Sequence, residues 1–414
     1  MAPEADLKDT DRCVMCGLCL PHCPTYGLSR DEGDSPRGRI ALMQGLASGA
    51  LPVGERLLGH LDRCLECRAC EAMCPSEVPF GRLMDATRAR VEPHRPRSPG
   101  SRRLRRWGFG LLRHPRRLRA LARVLRYYQR SGLQWLVRHS GLLRLLKLAP
   151  LEARLPHLQR PLAAGRHSTV GPARGRVALF TGCVESVTGA DTQRDVLRLL
   201  PRLGYEVDIP RGQGCCGALS QHNGDPATAA GLARANLVAF DTTGLDAIVS
   251  TASGCGAQLA AYDALYGLEH PRAAAFAGKV RDISTFLAEQ DWPQDLLRPL
   301  PGTVAVHDPC SLRHELRQHR AVYRLLGRIP QLQTVTLNAT GACCGAAGSY
   351  ILTQPAMADA LRQPHIEQLQ ALGVRTLVSS NIGCALHLAA GIREAGLDIE
   401  VLHPVSLLAR QLRD

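Results

Sequence analysis

The sequence predicts an α+β multidomain protein, in which a helical, cysteine-rich N-terminal domain precedes two duplicated α/β domains. Three observations predict it. A four-cysteine motif occurs twice before residue 75, a cysteine-bearing unit of about 128 residues recurs in the second half, and one arginine-rich stretch lies between them. The length of 414 residues accommodates two or three domains at roughly 150 residues each. With 45% hydrophobic and 21% charged residues the chain is globular in composition.

The first motif reads C-x2-C-x2-C-x3-C-P over Cys13, Cys16, Cys19, Cys23 and Pro24, and Cys64, Cys67, Cys70, Cys74 and Pro75 repeat it residue for residue. Three thiolates two residues apart wrap one face of an iron–sulfur cube, and the fourth, before a proline that turns the chain away, reaches the neighbouring cube. On that logic one [4Fe–4S] cluster takes Cys13, Cys16, Cys19 and Cys74. The other takes Cys64, Cys67, Cys70 and Cys23. Structural zinc also uses C-x2-C pairs, but an unbroken triplet plus a fourth cysteine, twice over, exceeds what zinc needs. The 40 residues between the motifs contain GRIALMQGLASGAL and VGERLLGHL, both helical in pattern. Residues 1–95 are thus expected to form a mostly helical two-[4Fe–4S] ferredoxin-like domain that carries electrons.

In the second half, Cys183, Cys215-Cys216-Gly217 and Cys255 recur as Cys310, Cys343-Cys344-Gly345 and Cys384, offset by 127 to 129 residues. RVALFTGC aligns with TVAVHDPC and DAIVSTASGC with RTLVSSNIGC, so the simplest explanation is internal duplication. Each apolar, β-rich run precedes a helical pattern, which predicts parallel sheets over residues 171–295 and 296–414. Cys183, Cys255, Cys310 and Cys384 then fall at carboxyl ends of strands, where α/β folds build sites. Four soft donors per repeat leave room for a further metal or cluster in each repeat, or one shared between them. The competing reading is that several of these cysteines pack as small core residues. Gly217 and Gly345 are expected to let the backbone approach whatever the cysteine pair binds.

All 16 cysteines thereby belong to a pattern. The N-terminus, MAPEADLKDTDR, is acidic and lacks the apolar core of a secretory signal. No charge-free apolar run approaches the ~18 residues of a spanning helix. A reducing cytoplasmic setting is therefore expected, with cysteines serving metals rather than disulfides. His307-Asp308 before Cys310, and His314 after it, read equally as a ligand or proton relay and as a capping Asp with a surface His. His22 beside Cys23 either tunes a cluster potential or is a loop residue. No G-x-G-x-x-G fingerprint follows a strand, so hydride chemistry is expected on another subunit.

The net charge of +14 is local. Residues 101–150 hold 13 Arg and Lys147 with no acidic group, and the rest balances at 37 basic and 37 acidic. That distribution argues against a nucleic-acid-coating protein. Within the expected linker, 96–170, His114-Pro115 breaks the helical pattern and a new helix is expected near Arg116. Leu118, Leu121, Ala122, Leu125 and Tyr128 share one arc, and Arg119, Arg123, Arg126 and Arg130 the other. Leu133, Trp135, Leu136, Leu142, Leu143, Leu145, Leu146 and Leu148 follow. Two readings stand side by side: an interfacial helix on an anionic membrane, or an interdomain helix pair packed on the ferredoxin domain.

Taken together, the twin C-x2-C-x2-C-x3-C-P motifs, the two Cys-Cys-Gly domains and the stretches DSPRGRIALM, HLDRCLECRACEAMCPSEVPFG, HDPCSLRH, CCGAAGSYILTQPAMA and SSNIGCALHL resemble the iron–sulfur subunits of bacterial glycolate oxidase. The resemblance implies a separate FAD-binding subunit that oxidises glycolate to glyoxylate. Electrons would then pass through clusters on the eight N-terminal cysteines towards a membrane quinone, with the chain peripheral on the inner face of the cell membrane. The anaerobic glycerol-3-phosphate dehydrogenase iron–sulfur subunit is similar and stands as the alternative. Lactate-utilisation relatives lack the ferredoxin half. A heterodisulfide-reductase-like catalyst is a third possibility, but that family ends its Cys-Cys-Gly domains in C-x-x-C, where this sequence has Ala252 and Asn381. Its five-thiolate cluster is thereby in doubt.

Overall fold

The computed structural model describes residues 7–145, 152, 155–265, 271–293, 295–339 and 341–413. In the N-terminal region, Cys23 precedes α1 (Pro24–Ser29), which opens on a proline that has no N–H to satisfy. Ser35 caps α2 (Pro36–Ala47) by accepting from the Gly38 N–H at 2.9 Å. The helix therefore opens two residues before the pattern that foretold it. α3 (Glu55–Asp62) and α5 (Phe80–Val91) flank the short α4 (Ala69–Ala72). Ile40, Met43 and Leu46 of α2 meet Leu57, Leu58 and Leu61 of α3 and Leu83, Met84 and Val91 of α5, spaced so that one face of each helix is apolar. Cys64 and Cys70 belong to the same buried cluster, so the cysteines sit against the core rather than on a loose arm.

The basic segment forms α6 (Pro99–Arg113), α7 (Pro115–Arg130), α8 (Leu133–His139) and the single turn α9 (Leu142–Leu145). The break falls at His114 as expected, and α7 starts one residue earlier than expected because Pro115 suits a first helical position. Its apolar arc meets protein, but a different domain from the one expected. Leu118 and Ala122 are buried with Leu158 and Val187, and Leu125 and Cys183 pack against them. The arc thus covers the first Cys-Cys-Gly repeat rather than the ferredoxin-like region. Arg105 pairs with Glu92 at 3.3 Å and Arg113 with Asp225 at 2.7 Å, which ties α6 to both neighbours. Leu146 and Leu148 of the basic stretch lie outside the described residues. Among the described residues, no helix is long and apolar enough to cross a membrane.

The second half holds two sheets of matching topology. β1 (Gly165–His167), β2 (Gly175–Phe180), β3 (Tyr205–Ile209), β4 (Ala247–Ser250) and β5 (Val280–Asp282) lie in the order β1-β3-β2-β4-β5. All pairs are parallel except β1 with β3. β6 (Gly302–His307), β7 (Leu332–Leu337), β8 (Thr376–Ser379) and β9 (Glu400–Leu402) are wholly parallel in the order β7-β6-β8-β9. Apart from the edge strand β1, the first strand of each repeat lies between its second and third, so the duplication read in sequence is a duplication of fold. Val177 and Leu179 of β2 and Val304 and Val306 of β6 contribute to one continuous core, joined by the last helix, Pro404–Arg410. The two repeats thus pack as a unit.

Candidate metal centres

Cys13, Cys16, Cys19 and Cys74 line one cavity, Cys23, Cys64 and Cys67 a second, and Cys70 lies between them and lines both. Backbone geometry explains the convergence. Met15 and Glu66 adopt φ of 56° and 52°, and Gly17 and Arg68 adopt 81° and 56°, so both motifs kink left-handed at the same two places. Each kink at a residue with a side chain costs about 1–2 kcal/mol and curls the loop so that its sulfurs face inward. Among the described residues, none of the eight cysteines falls in a group of three donor atoms within 4.8 Å of one another. A tetrahedral zinc ion with Zn–S near 2.3 Å would draw its sulfurs to within about 3.8 Å. This wider setting, with at least four thiols around each cavity, fits an iron–sulfur cube better than a single ion.

The two cavities differ in setting. Around the first, Cys16 is exposed and its apolar neighbours Val14 (69%) and Leu18 (57%) project into solvent. Around the second, burial pushes the thiols of Cys64, Cys67 and Cys70 up, Cys67 and Cys70 well above the ordinary value because neighbouring sulfurs add to the effect. Loading that site must therefore release protons. Two arginines work against that rise at Cys64 and stand ready for the charge that deprotonated thiols would carry. Arg39, 1% exposed, donates to Thr25 Oγ1 at 3.1 Å and the His60 carbonyl at 2.8 Å, reaches Cys23 Sγ at 3.9 Å and lies 3.5 Å from Asp34. Arg88 donates to the Cys64 carbonyl at 2.7 Å. Sequence reading missed both, since an arginine in a helix normally reads as solvated; the available signal was Arg39 at helical spacing from Pro36 and Met43, on the apolar face. His22 is exposed and edges the second cavity.

In each repeat the cysteines gather beyond the carboxyl ends of three adjacent strands. Cys183 Sγ lies 3.7 Å from Cys215 Sγ, and Cys216 Sγ 3.4 Å from Cys255 Sγ. Cys255 and Cys384 lie in the first turn of the helices that follow, Ser253–Ala260 and Ile382–Glu394. Cys215 is held well below the usual thiol range because Cys183, Cys216 and the Gly217 N–H donate to its sulfur. In the second repeat Cys310, Cys343 and Cys344 are all pushed well up. Gly217 and Gly345 have φ of 96° and 86°, and a Cβ on Gly345 would sit 2.5 Å from the Ala358 carbonyl. At Gly345 the close approach is thus to a neighbouring helix. His307 is 3% exposed and Asp308 6%, which removes the reading of a surface histidine and a capping aspartate. Asp308 instead accepts from Tyr323 Oη at 3.2 Å and pairs with Arg313 at 3.4 Å. His314 is half-buried.

The second cavity adjoins the second repeat. Cys67 and Cys310 pack against one buried cluster of Leu65, Cys343, Tyr350, Ala358 and Leu361, and Tyr350 Oη donates to the Arg63 carbonyl at 3.0 Å. The first repeat meets the same region through charge. His222 lies 2.8 Å from Glu66 and 3.0 Å from Asp85, which hold its imidazole well above the ordinary value.

A thiol-lined helical domain docked on paired Cys-Cys-Gly repeats defines the class of iron–sulfur proteins. A family model of a 4Fe-4S dicluster domain matches residues 9–78, a cysteine-rich domain matches 177–260 and 304–389, and the linker region of the glycolate oxidase iron-sulfur subunit matches 100–155. The chain is 37% identical to the "Probable glycolate oxidase iron-sulfur subunit" of Bacillus subtilis, over 96% of this chain and 92% of the relative. It is 34% identical to the glycolate oxidase iron-sulfur subunit of Escherichia coli, over 92% and 90%. Lactate utilization protein A of Geobacillus thermodenitrificans is 25% identical over 56% of this chain and 98% of its own length. The chain belongs to the glycolate oxidase iron–sulfur subunit family.

Proposed function

We propose that this chain is the electron-transfer subunit of a flavin-dependent 2-hydroxy-acid oxidoreductase, with glycolate as substrate and a membrane quinone as acceptor. The observation that supports the reading is that Cys74 lies with the first motif and Cys23 with the second around two neighbouring cavities that share Cys70. Clusters bound there supply one-electron transfer. Cys13, Cys16, Cys19 and Cys74 would hold one, and Cys64, Cys67, Cys70 and Cys23 the other. Val14, Met15 and Leu18 offer an apolar rim beside exposed Cys16, the kind of surface a partner subunit desolvates, and the FAD-binding subunit would dock there. Arg39 and Arg88 counter the charge that the buried thiolates carry. Cys67 then adjoins the second repeat at Cys310 and Cys343.

The test is Cys64→Ser in the assembled complex. Acceptor reduction is expected to fall by more than about 100-fold while glycolate still reduces the flavin, read by stopped-flow absorbance. Loss of flavin reduction in an intact complex would place substrate chemistry on this chain.

The membrane contact has its own support. With the apolar arc of α7 covered, the outward face still carries Trp107 (66%), Tyr127 (71%) and Trp135 (65%) among exposed arginines, a mixture suited to an anionic interface. Removing residues 101–150 would expose the first repeat, so a milder change is better: Trp107→Ser with Trp135→Ser should weaken co-sedimentation with anionic vesicles severalfold, and unchanged binding would remove the membrane contact.

A further inference from the structure

The two Cys-Cys-Gly sites align strand for strand, and one substitution separates them. Where β2 ends in Phe180, β6 ends in His307. Phe180 lies in an apolar cluster with Cys216, against which Cys255 packs. In the second repeat the same three places hold His307, Cys344 and Cys384, with one donor atom from each lying within 4.8 Å of the others, all buried. We infer that His307 is a metal ligand, and that it completes with Cys310, Cys343, Cys344 and Cys384 a mixed nitrogen–sulfur iron centre in the second repeat that the first repeat cannot form.

Two further observations support the assignment. Ser379 Oγ lies 3.1 Å from His307 Nδ1 and fixes the ring, as partners of metal-bound imidazoles do. The matching Ser250 bonds instead to the Ala252 carbonyl at 3.1 Å. Finally, Cys343 packs with Cys310 and the adjacent Cys344 with Cys384, so the four cysteines gather beside the histidine. A histidine buried for packing alone would strand a polar ring in the core, where Phe180 shows that a phenyl ring fits the equivalent place.

Imidazole in place of thiolate raises the potential of an iron–sulfur centre. A centre at His307 would thus be more readily reduced than an all-thiolate one, and it would adjoin Cys67. The inference rests on the iron–sulfur reading of the chain and not on its substrate.

The experiment uses the full chain purified anaerobically, with iron and sulfide analysis and ENDOR after 15N-histidine labelling. Iron beyond the roughly eight atoms of two cubanes, with one strongly coupled histidine nitrogen, is expected. His307→Phe, which copies the first repeat, should lose that extra iron and the nitrogen coupling while both ferredoxin signals persist. His307→Cys should regain the iron without the coupling. A wild-type chain lacking nitrogen coupling, extra iron indifferent to His307, or zinc in its place would overturn the assignment. Absent ferredoxin signals in the wild type would instead sink the electron-transfer reading, so the two failures are told apart.

Discussion

The two Cys-Cys-Gly repeats share topology and strand order but meet the cluster-bearing region through different mixtures of contact. The first presents His222 to two buried carboxylates, Glu66 and Asp85, with Arg88 close by at 3.0 Å from Glu66. The second presents mainly thiols and apolar side chains, Cys310, Cys343, Tyr350 and Leu361, to Leu65 and Cys67, beside one ion pair, Arg68 with Glu315 at 3.0 Å. A charged junction orients two bodies, while an apolar one excludes water between the groups it brings together. Duplication thus produced one repeat whose junction is mainly ionic and one whose junction is mainly apolar.

Breaking the repeats at equivalent glycines should give the largest effect. Gly345→Ala forces a Cβ to within 2.5 Å of the Ala358 carbonyl and also strains φ, so a loss of about 3 kcal/mol is expected in denaturant unfolding. Gly217→Ala forces an alanine into a φ of 96°, a backbone cost of about 1–2 kcal/mol. Equal losses would show that the contact with the helix Pro355–Leu372 is unimportant.

The charged junction can be tested by pH. His222, faced by Glu66, Asp85, Arg68, Arg88 and Glu315, has its imidazole raised. Its contribution is complete below the unfolded value of 6.5 and is lost as pH rises through the higher folded value. Hydrogen exchange in the helix Pro226–Ala239 should therefore quicken at alkaline pH, with little change around Tyr350, and His222→Gln should abolish the difference. Uniform loosening of both repeats would contradict the contrast.

A smaller effect sits at the last helix of each repeat, capped by Asp282 in one and His403 in the other. Burial raises Asp282 to about 6, so its contribution is present below the unfolded value of 3.8 and is lost as pH climbs through 6. Burial lowers His403 to about 3, so its contribution is present above 6.5 and is lost as pH falls towards 3. Between those limits the two caps respond oppositely, each by at most about 1.4 kcal/mol per pH unit. Asp282→Asn and His403→Asn keep a capping acceptor and should flatten the two slopes, measured as exchange rates near Ser284 and Val405.

The fold was largely legible because its signals are local. Cysteine spacing, helical periodicity around Ile40 and Leu57, and the paired β-rich runs at Val177 and Val304 each follow from a few neighbouring residues. The break at His114 was legible for the same reason. Arg39 and His222 were not, because a charged side chain reads as solvated until its distant partners are known. The covering of Leu118 and Ala122 by the first repeat was equally hidden, since an amphipathic face does not name what it meets.

By itself, then, the sequence determined the twin four-cysteine motifs, that the second half is a duplicated α/β unit, and that the basic charge belongs to one segment. Tertiary structure alone decided that Cys67 lies beside Cys310, that the outer cavity opens near Cys16 while the inner one is buried, and that His307 joins Cys344 and Cys384. The reason is the range of the forces involved. Loop curvature and periodicity act over a few residues and leave a readable pattern, whereas contact between a ferredoxin loop and a strand end more than 200 residues away arises only when separate apolar surfaces close on each other.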